Sequence, residues 1–211
     1  MTTTAEPATT THPPGRRHSR RFLFATMGIS AIICLIASAV LSIDAILLAA
    51  DADANLGCDI NAAISCGAVG ISPQANILGF PNAFIGLATE PVVLTIAVAG
   101  LAGVRFPRWF MFAANVGYLL GLVFAYWLFF QSMFVIGALC PWCLTITVFT
   151  TVTFFTMLHI NVIEDNLYLP ERAQAVALKL IRLDVDLFIP AVILAAMVAG
   201  IILKYGVYLF S

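Results

Sequence analysis

The chain has 211 residues, of which 62% are hydrophobic and 10% charged, and its formal net charge is −1. Soluble domains carry about a quarter charged residues, so these charges cannot cover a water-facing surface, and lipid must be the solvent for most of the chain. No basic cluster is interleaved with aromatics, which leaves no stretch suited to nucleic acid.

The first 21 residues are rich in Thr, Pro and Ala and end in Arg16-Arg17-His18-Ser19-Arg20-Arg21. This composition predicts a disordered basic tail over 1–21. The apolar run that follows, 22–50, is longer than a signal-peptide core and no clear small-residue cleavage site follows it, so it reads as a retained first span. A helix needs about 20 apolar residues to cross the hydrocarbon core. Five segments meet that test: 22–50, 79–104, 109–138, 140–162 and 187–210. Helices are expected because a spanning segment must satisfy its own backbone hydrogen bonds. Between the fourth and fifth, 163–186 mixes charges with Ala173, Val176, Ala177, Leu180 and Leu183 at helical spacing. That pattern predicts an amphipathic connector lying on the membrane surface. The expected architecture is an all-α integral membrane protein: a four-helix bundle over 22–162 that includes the long loop 51–78, then the connector 163–186. A fifth transmembrane helix over 187–211 lies peripheral to the bundle or alongside it.

Charge placement orients the spans. Loops rich in Lys and Arg stay in the cytoplasm. With the tail inside, the inner segments hold Arg16, Arg17, Arg20, Arg21, Arg105, Arg108, Arg172, Lys179 and Arg182, leaving only Lys204 of the ten basic residues outside. The 51–78 loop has no Lys or Arg and carries Asp51, Asp53 and Asp59. The expected topology has a cytoplasmic amino end and an extracytoplasmic carboxyl end.

Four of the five cysteines, Cys58, Cys66, Cys140 and Cys143, then fall on the extracytoplasmic side, where disulfides form and persist. Cys34 lies within the first span and reads as structural. Cys140-Pro141-Trp142-Cys143 is a C-x-x-C at the start of the fourth span. Pro141 is well tolerated in a first helical turn. Cys143, one turn in, lies near the positive end of the helix dipole, where a thiolate is favoured. Such a thiolate suits thiol–disulfide exchange. Cys58 and Cys66 sit in a loop expected to be polar, mobile and reachable by a partner, so the two pairs read as a two-stage relay. Two structural disulfides, or a zinc site with four thiolate ligands, use the same residues; the eight-residue spacing of the loop pair and the oxidising face disfavour zinc.

The run Gly57-Cys58-Asp59-Ile60-Asn61-Ala62-Ala63-Ile64-Ser65-Cys66 resembles the loop of the vitamin K epoxide reductase family, and so does Gly79-Phe80-Pro81-Asn82-Ala83-Phe84-Ile85-Gly86. The C-x-x-C opening the fourth span completes the pattern. The resemblance covers spans one to four and implies a four-helix bundle around a quinone, menaquinone or ubiquinone, as electron acceptor. It implies Cys143 as the quinone-proximal thiol, Cys140 as its exchange partner, Cys58 as the contact for an external partner, and Cys66 as the cysteine that passes electrons to Cys140. Asn82 matches the family asparagine that hydrogen-bonds a quinone carbonyl, a sensible role for an amide facing an oxygen that gains charge on reduction. Animal members carry a tyrosine where this chain has Thr147, so plain quinone reduction fits better than epoxide reduction. Trp142, inside the C-x-x-C, is placed to pack on a quinone ring. The chain stops at Ser211 without a fused thioredoxin-like domain, so the implied partner is a separate thioredoxin-fold oxidase.

The predicted function is a membrane thiol–disulfide oxidoreductase that reoxidises that partner and passes the electrons to quinone. The alternative is a scaffold or transporter subunit with two structural disulfides. Two further residues stand out. Glu90 sits deep in the second span, where a carboxyl is costly and often functional; it reads either as a proton shuttle or partner to a charge in the bundle, or as a protonated carboxyl hydrogen-bonded to Thr89 or Asn115. Asp44, near the outer end of the first span, reads as an interfacial residue or one that assists proton release. His159, near the inner end of the fourth span, reads as interfacial.

Overall fold

The computed structural model describes residues 16–61 and 63–209. Residues 1–15 of the expected tail lie outside them. Its last part, Arg16–His18, forms a single 3-10 turn. Seven helices follow: α1 Arg20–Ala50, α2 Cys66–Gly70, α3 Ala83–Leu101, α4 Arg108–Gln131, α5 Pro141–Ile163, α6 Glu171–Arg182 and α7 Val185–Leu209. Of these, α1, α3, α4, α5 and α7 are long and apolar enough to cross a membrane. The protein is thus a multi-pass membrane protein of the all-α class, with the spans where apolar length placed them to within a few residues.

Local chemistry sets the ends. Ser19 caps α1, its hydroxyl accepting from the Phe22 N–H. At its far end α4 widens into a π-turn over Ser132–Ile136, closed by Gly137 at φ 78°. That left-handed conformation is open to glycine and lets the chain reverse into α5 within four residues.

Helix α1 is the centre of the bundle. It packs along α3 on one side and α5 on the other, and α4 packs on α5. Two glycines on α3 make the first contact close. A Cβ on Gly86 would overlap the Ser38 side chain, and one on Gly100 would overlap the Phe24 ring. At one end the core is apolar, built around Phe24, Met27, Ala31, Ala97, Met111 and Met157. Embedded beside it is a fully satisfied amide cluster in which Asn161 donates to Asn115 and Met111, and Asn166 donates to Asn161.

Helix α7 lies alongside the bundle and is pinned at both ends. Near its start, Asp186 accepts from Arg17 and pairs with the buried His159 Nδ1 at 2.5 Å; the His159 Nε2 meets the His18 Nδ1 at 3.2 Å. His159 is a buried clasp residue, covered by the Arg16–His18 turn on one side and α7 on the other. Near the end of α7, Lys204 and the Tyr205 hydroxyl donate to the Met133 carbonyl. The connector expected over 163–186 contains α6, whose last turn carries Lys179 and Arg182.

Candidate functional site: two cysteine pairs at the mouth of a cavity

The 51–78 loop, expected to be mobile, is held by one carboxylate. Asp59 accepts from the Ser65 hydroxyl at 2.7 Å, the Gly67 N–H at 2.9 Å and the Leu56 N–H at 3.0 Å. Burial pushes the Asp59 carboxyl up, but the bonds from Gly67, Ser65 and Leu56 outweigh it and hold it below the usual carboxylate range. Ser65 in turn caps α2 by accepting from the Ala68 N–H. These bonds fix the turn that joins Cys58 to Cys66, and the two form a disulfide with Cα atoms 5.6 Å apart.

The loop is stitched to the residue before the C-x-x-C. The Ser65 N–H donates to the Leu139 carbonyl at 3.0 Å, and the Leu139 N–H donates to the Ala63 carbonyl at 2.8 Å. Cys66 and Cys140 each follow a member of this backbone pairing, and their sulfurs lie 3.4 Å apart. Cys140 is the N-cap of α5 and Pro141 takes its first turn. The Cys140 sulfur accepts from the Cys143 N–H at 3.4 Å. The thiolate-favouring contact of the helix start thus falls on Cys140, not on Cys143 as the sequence suggested, because an N-cap side chain turns back toward the free N–H groups. Cys140 and Cys143 are free thiols.

Behind the cysteines lies a cavity of about 990 Å³, a size ordinary for a small-molecule site. Cys66, Cys140, Cys143, Asp44, Asn82 and Thr147 are on its wall, Glu90 and Tyr118 lie deeper, and most of the lining is apolar. Helices α3 and α4 both line it. Gly117 and Gly121 of α4 lie on this wall, where a Cβ would meet nothing.

The expected ligand contacts differ in their placement. Asn82 donates through Nδ2 to the Gln74 carbonyl at 2.7 Å, and its buried Oδ1 has no partner. Thr147 is buried on the cavity wall, but its hydroxyl proton is used by the Cys143 carbonyl at 2.9 Å. Trp142 is not on the wall. It packs with Leu48, Leu56 and the cysteine cluster. Glu90 is 5% exposed and accepts from the Tyr118 hydroxyl at 3.0 Å, while its Oε2 is buried without a partner. Thr89 and Asn115, its expected partners, bond elsewhere, to Ile85 and Asn161. Cys34 is buried with its thiol toward the Ile146 carbonyl, away from the other cysteines.

Residues 25–158, from α1 through most of α5, match the sequence pattern described as the Vitamin K epoxide reductase family. The chain belongs to that family. No curated protein and no solved structure matches it. Membership of the vitamin K epoxide reductase family gives the chain a membrane redox function of the oxidoreductase type and lends no support to a scaffold.

Proposed function

We propose that the protein reoxidises a separate thioredoxin-fold partner and passes the electrons through its two cysteine pairs to a membrane quinone, menaquinone or ubiquinone. The reading places the amino end in the cytoplasm and the cysteines on the extracytoplasmic face of a bacterial-type plasma membrane. The contact between the Cys66 and Cys140 sulfurs at 3.4 Å carries it, because disulfide exchange between the pairs needs only a short movement.

A partner thiolate attacks the Cys58 sulfur and releases Cys66 as a thiolate. The second partner thiol then resolves that mixed disulfide, leaving Cys58 and Cys66 reduced. Cys66 attacks an oxidised Cys140–Cys143 pair at Cys140, and Cys143 leaves as the thiolate. Cys58 next attacks Cys66, which restores the loop disulfide and leaves Cys140 and Cys143 both reduced.

The cavity suits a quinone ring. It is mostly apolar, Cys143 is on its wall, and Asn82 offers an unpartnered Oδ1 and a second N–H. The quinone, when bound, accepts two electrons and two protons and leaves as quinol. Asn82 orients its oxygen, and the apolar wall excludes water.

The test is oxidation of reduced thioredoxin, used as a dithiol probe, coupled to soluble ubiquinone and menaquinone analogues. One disulfide should form per quinol, and Cys58→Ser should stop thiol oxidation. Oxidation by Cys58→Ser at the wild-type rate would overturn the relay.

A further inference from the structure

From Phe22 to Ala50 the first span contains one charged residue, Asp44. A carboxyl there is costly, so its surroundings matter. One Asp44 oxygen, the Cys58 sulfur and the Cys66 sulfur all lie within 4.8 Å of one another. Its Oδ2 is 4.0 Å from the Cys58 sulfur, and Asp44 also shares the cavity wall with Cys140 and Cys143. Asp44 is half-buried and has no ion-pair partner among the described residues. The loop carboxylate, Asp59, is instead occupied by three hydrogen bonds.

We propose that Asp44 is a catalytic residue, the proton acceptor that activates Cys58 when electrons pass from the loop pair to the C-x-x-C. The inference rests on the relay reading above. A thiol attacks a disulfide only as its thiolate. When Cys66 is bonded to Cys140 and Cys58 is a thiol, the Asp44 carboxylate takes the Cys58 proton. The Cys58 thiolate then forms a bond to the Cys66 sulfur, and the Cys66–Cys140 bond breaks. Its electron pair goes to Cys140, which takes the proton back from Asp44. The Cys58–Cys66 disulfide and the Cys140 thiol result, Asp44 is again a carboxylate, and no external acid, base or oxidant is consumed. The titratable groups facing Asp44 are Cys58, Cys66 and Asp59 of the loop region and Cys140 and Cys143 at the start of α5. Asp44 therefore sits among the sulfurs that lose and gain the proton.

The test needs no quinone. Fully oxidised protein in detergent is mixed with reduced thioredoxin, quenched in acid at intervals and alkylated, and the cysteine peptides are mapped by mass. In wild type the Cys66–Cys140 mixed disulfide should pass without accumulating. In Asp44→Asn it should accumulate and resolve at least about 100-fold more slowly near pH 7. The deficit should shrink as rising pH ionises Cys58 without help. Asp44→Glu should restore most of the rate. Asp44→Ser replaces the Asn variant if that one fails to form the Cys58–Cys66 disulfide. Resolution at the wild-type rate and pH profile in a folded variant lacking the carboxyl would overturn the role of Asp44. Loss of quinone reduction with internal exchange intact would instead overturn the proposed acceptor and leave Asp44 standing.

Discussion

Cys66 and Cys140 are 74 residues apart in sequence, yet their sulfurs lie 3.4 Å apart at the mouth of the cavity. The contact is made by neighbours. Ser65 and Leu139 pair through their backbones, and Asp59 holds the turn that presents Ser65. The cysteines inherit their positions from this scaffold, so residues without redox chemistry should control the exchange.

Asp59→Ala removes the acceptor for three donors. The loop should open more readily by about 1–3 kcal/mol. Amide hydrogen exchange over 56–68 should accelerate by roughly ten- to a hundred-fold, with exchange in α1 and α3 unchanged. The native carboxyl is held below its ordinary 3.8. Its contribution is therefore fully present above that ordinary value and fades as pH falls through the folded one. Wild-type loop protection should show this acid limb and Asp59→Ala should lack it.

Gly100 marks the tightest approach of α1 to α3 at the apolar end. Gly100→Ala drives a methyl into the Phe24 ring and should cost about 1–3 kcal/mol. Pairing it with Phe24→Leu should recover part of that loss, measured by thermal unfolding in detergent. A fully additive pair would show that the two residues do not meet.

The Arg17–His18 turn responds to acid in the opposite sense from a salt bridge that gains a proton. Burial, then His159 and Arg17, lowers the His18 pKa from its ordinary 6.5. The unfolded chain thus binds the proton more readily than the folded one. Stability should be full above that ordinary value and should decline as pH falls below it. His18→Gln should flatten this limb in thermal melts recorded across pH.

Asn82→Ala leaves the Gln74 carbonyl without its amide and removes the polar group offered to the cavity. Quinone affinity should weaken by about 5- to 30-fold, while exchange between the cysteine pairs, read by alkylation, should be unaffected. Thr147→Val should have a smaller effect, because the Thr147 hydroxyl proton already serves the Cys143 carbonyl.

The spans were legible because lipid imposes a length and an apolar composition that few other constraints disturb. The C-x-x-C at the start of α5 was legible because Pro141 and the following apolar run announce a helix start. The order of the loop was not. Its polar composition reads as mobile, and only the folded chain brings Ser65, Gly67 and Leu56 onto one carboxylate. Position on a helix also misled for single side chains. Trp142 belongs to the C-x-x-C by sequence but packs into the cysteine cluster and does not line the cavity, and the thiolate-favouring contact at the helix start falls on Cys140. Glu90 and His159 were conspicuous as polar residues in apolar runs, yet their partners Tyr118 and Asp186 come from other helices. No local pattern encodes such pairings.

Electron delivery from the C-x-x-C to a quinone in this cavity is the step on which the proposed relay depends. The most direct measurement is anaerobic quinone reduction by purified, pre-reduced protein in detergent, followed by absorbance, with wild type beside Cys143→Ser. Wild type should show rapid, stoichiometric loss of quinone and the variant none. Well-folded wild type that reduces neither ubiquinone nor menaquinone would contradict it.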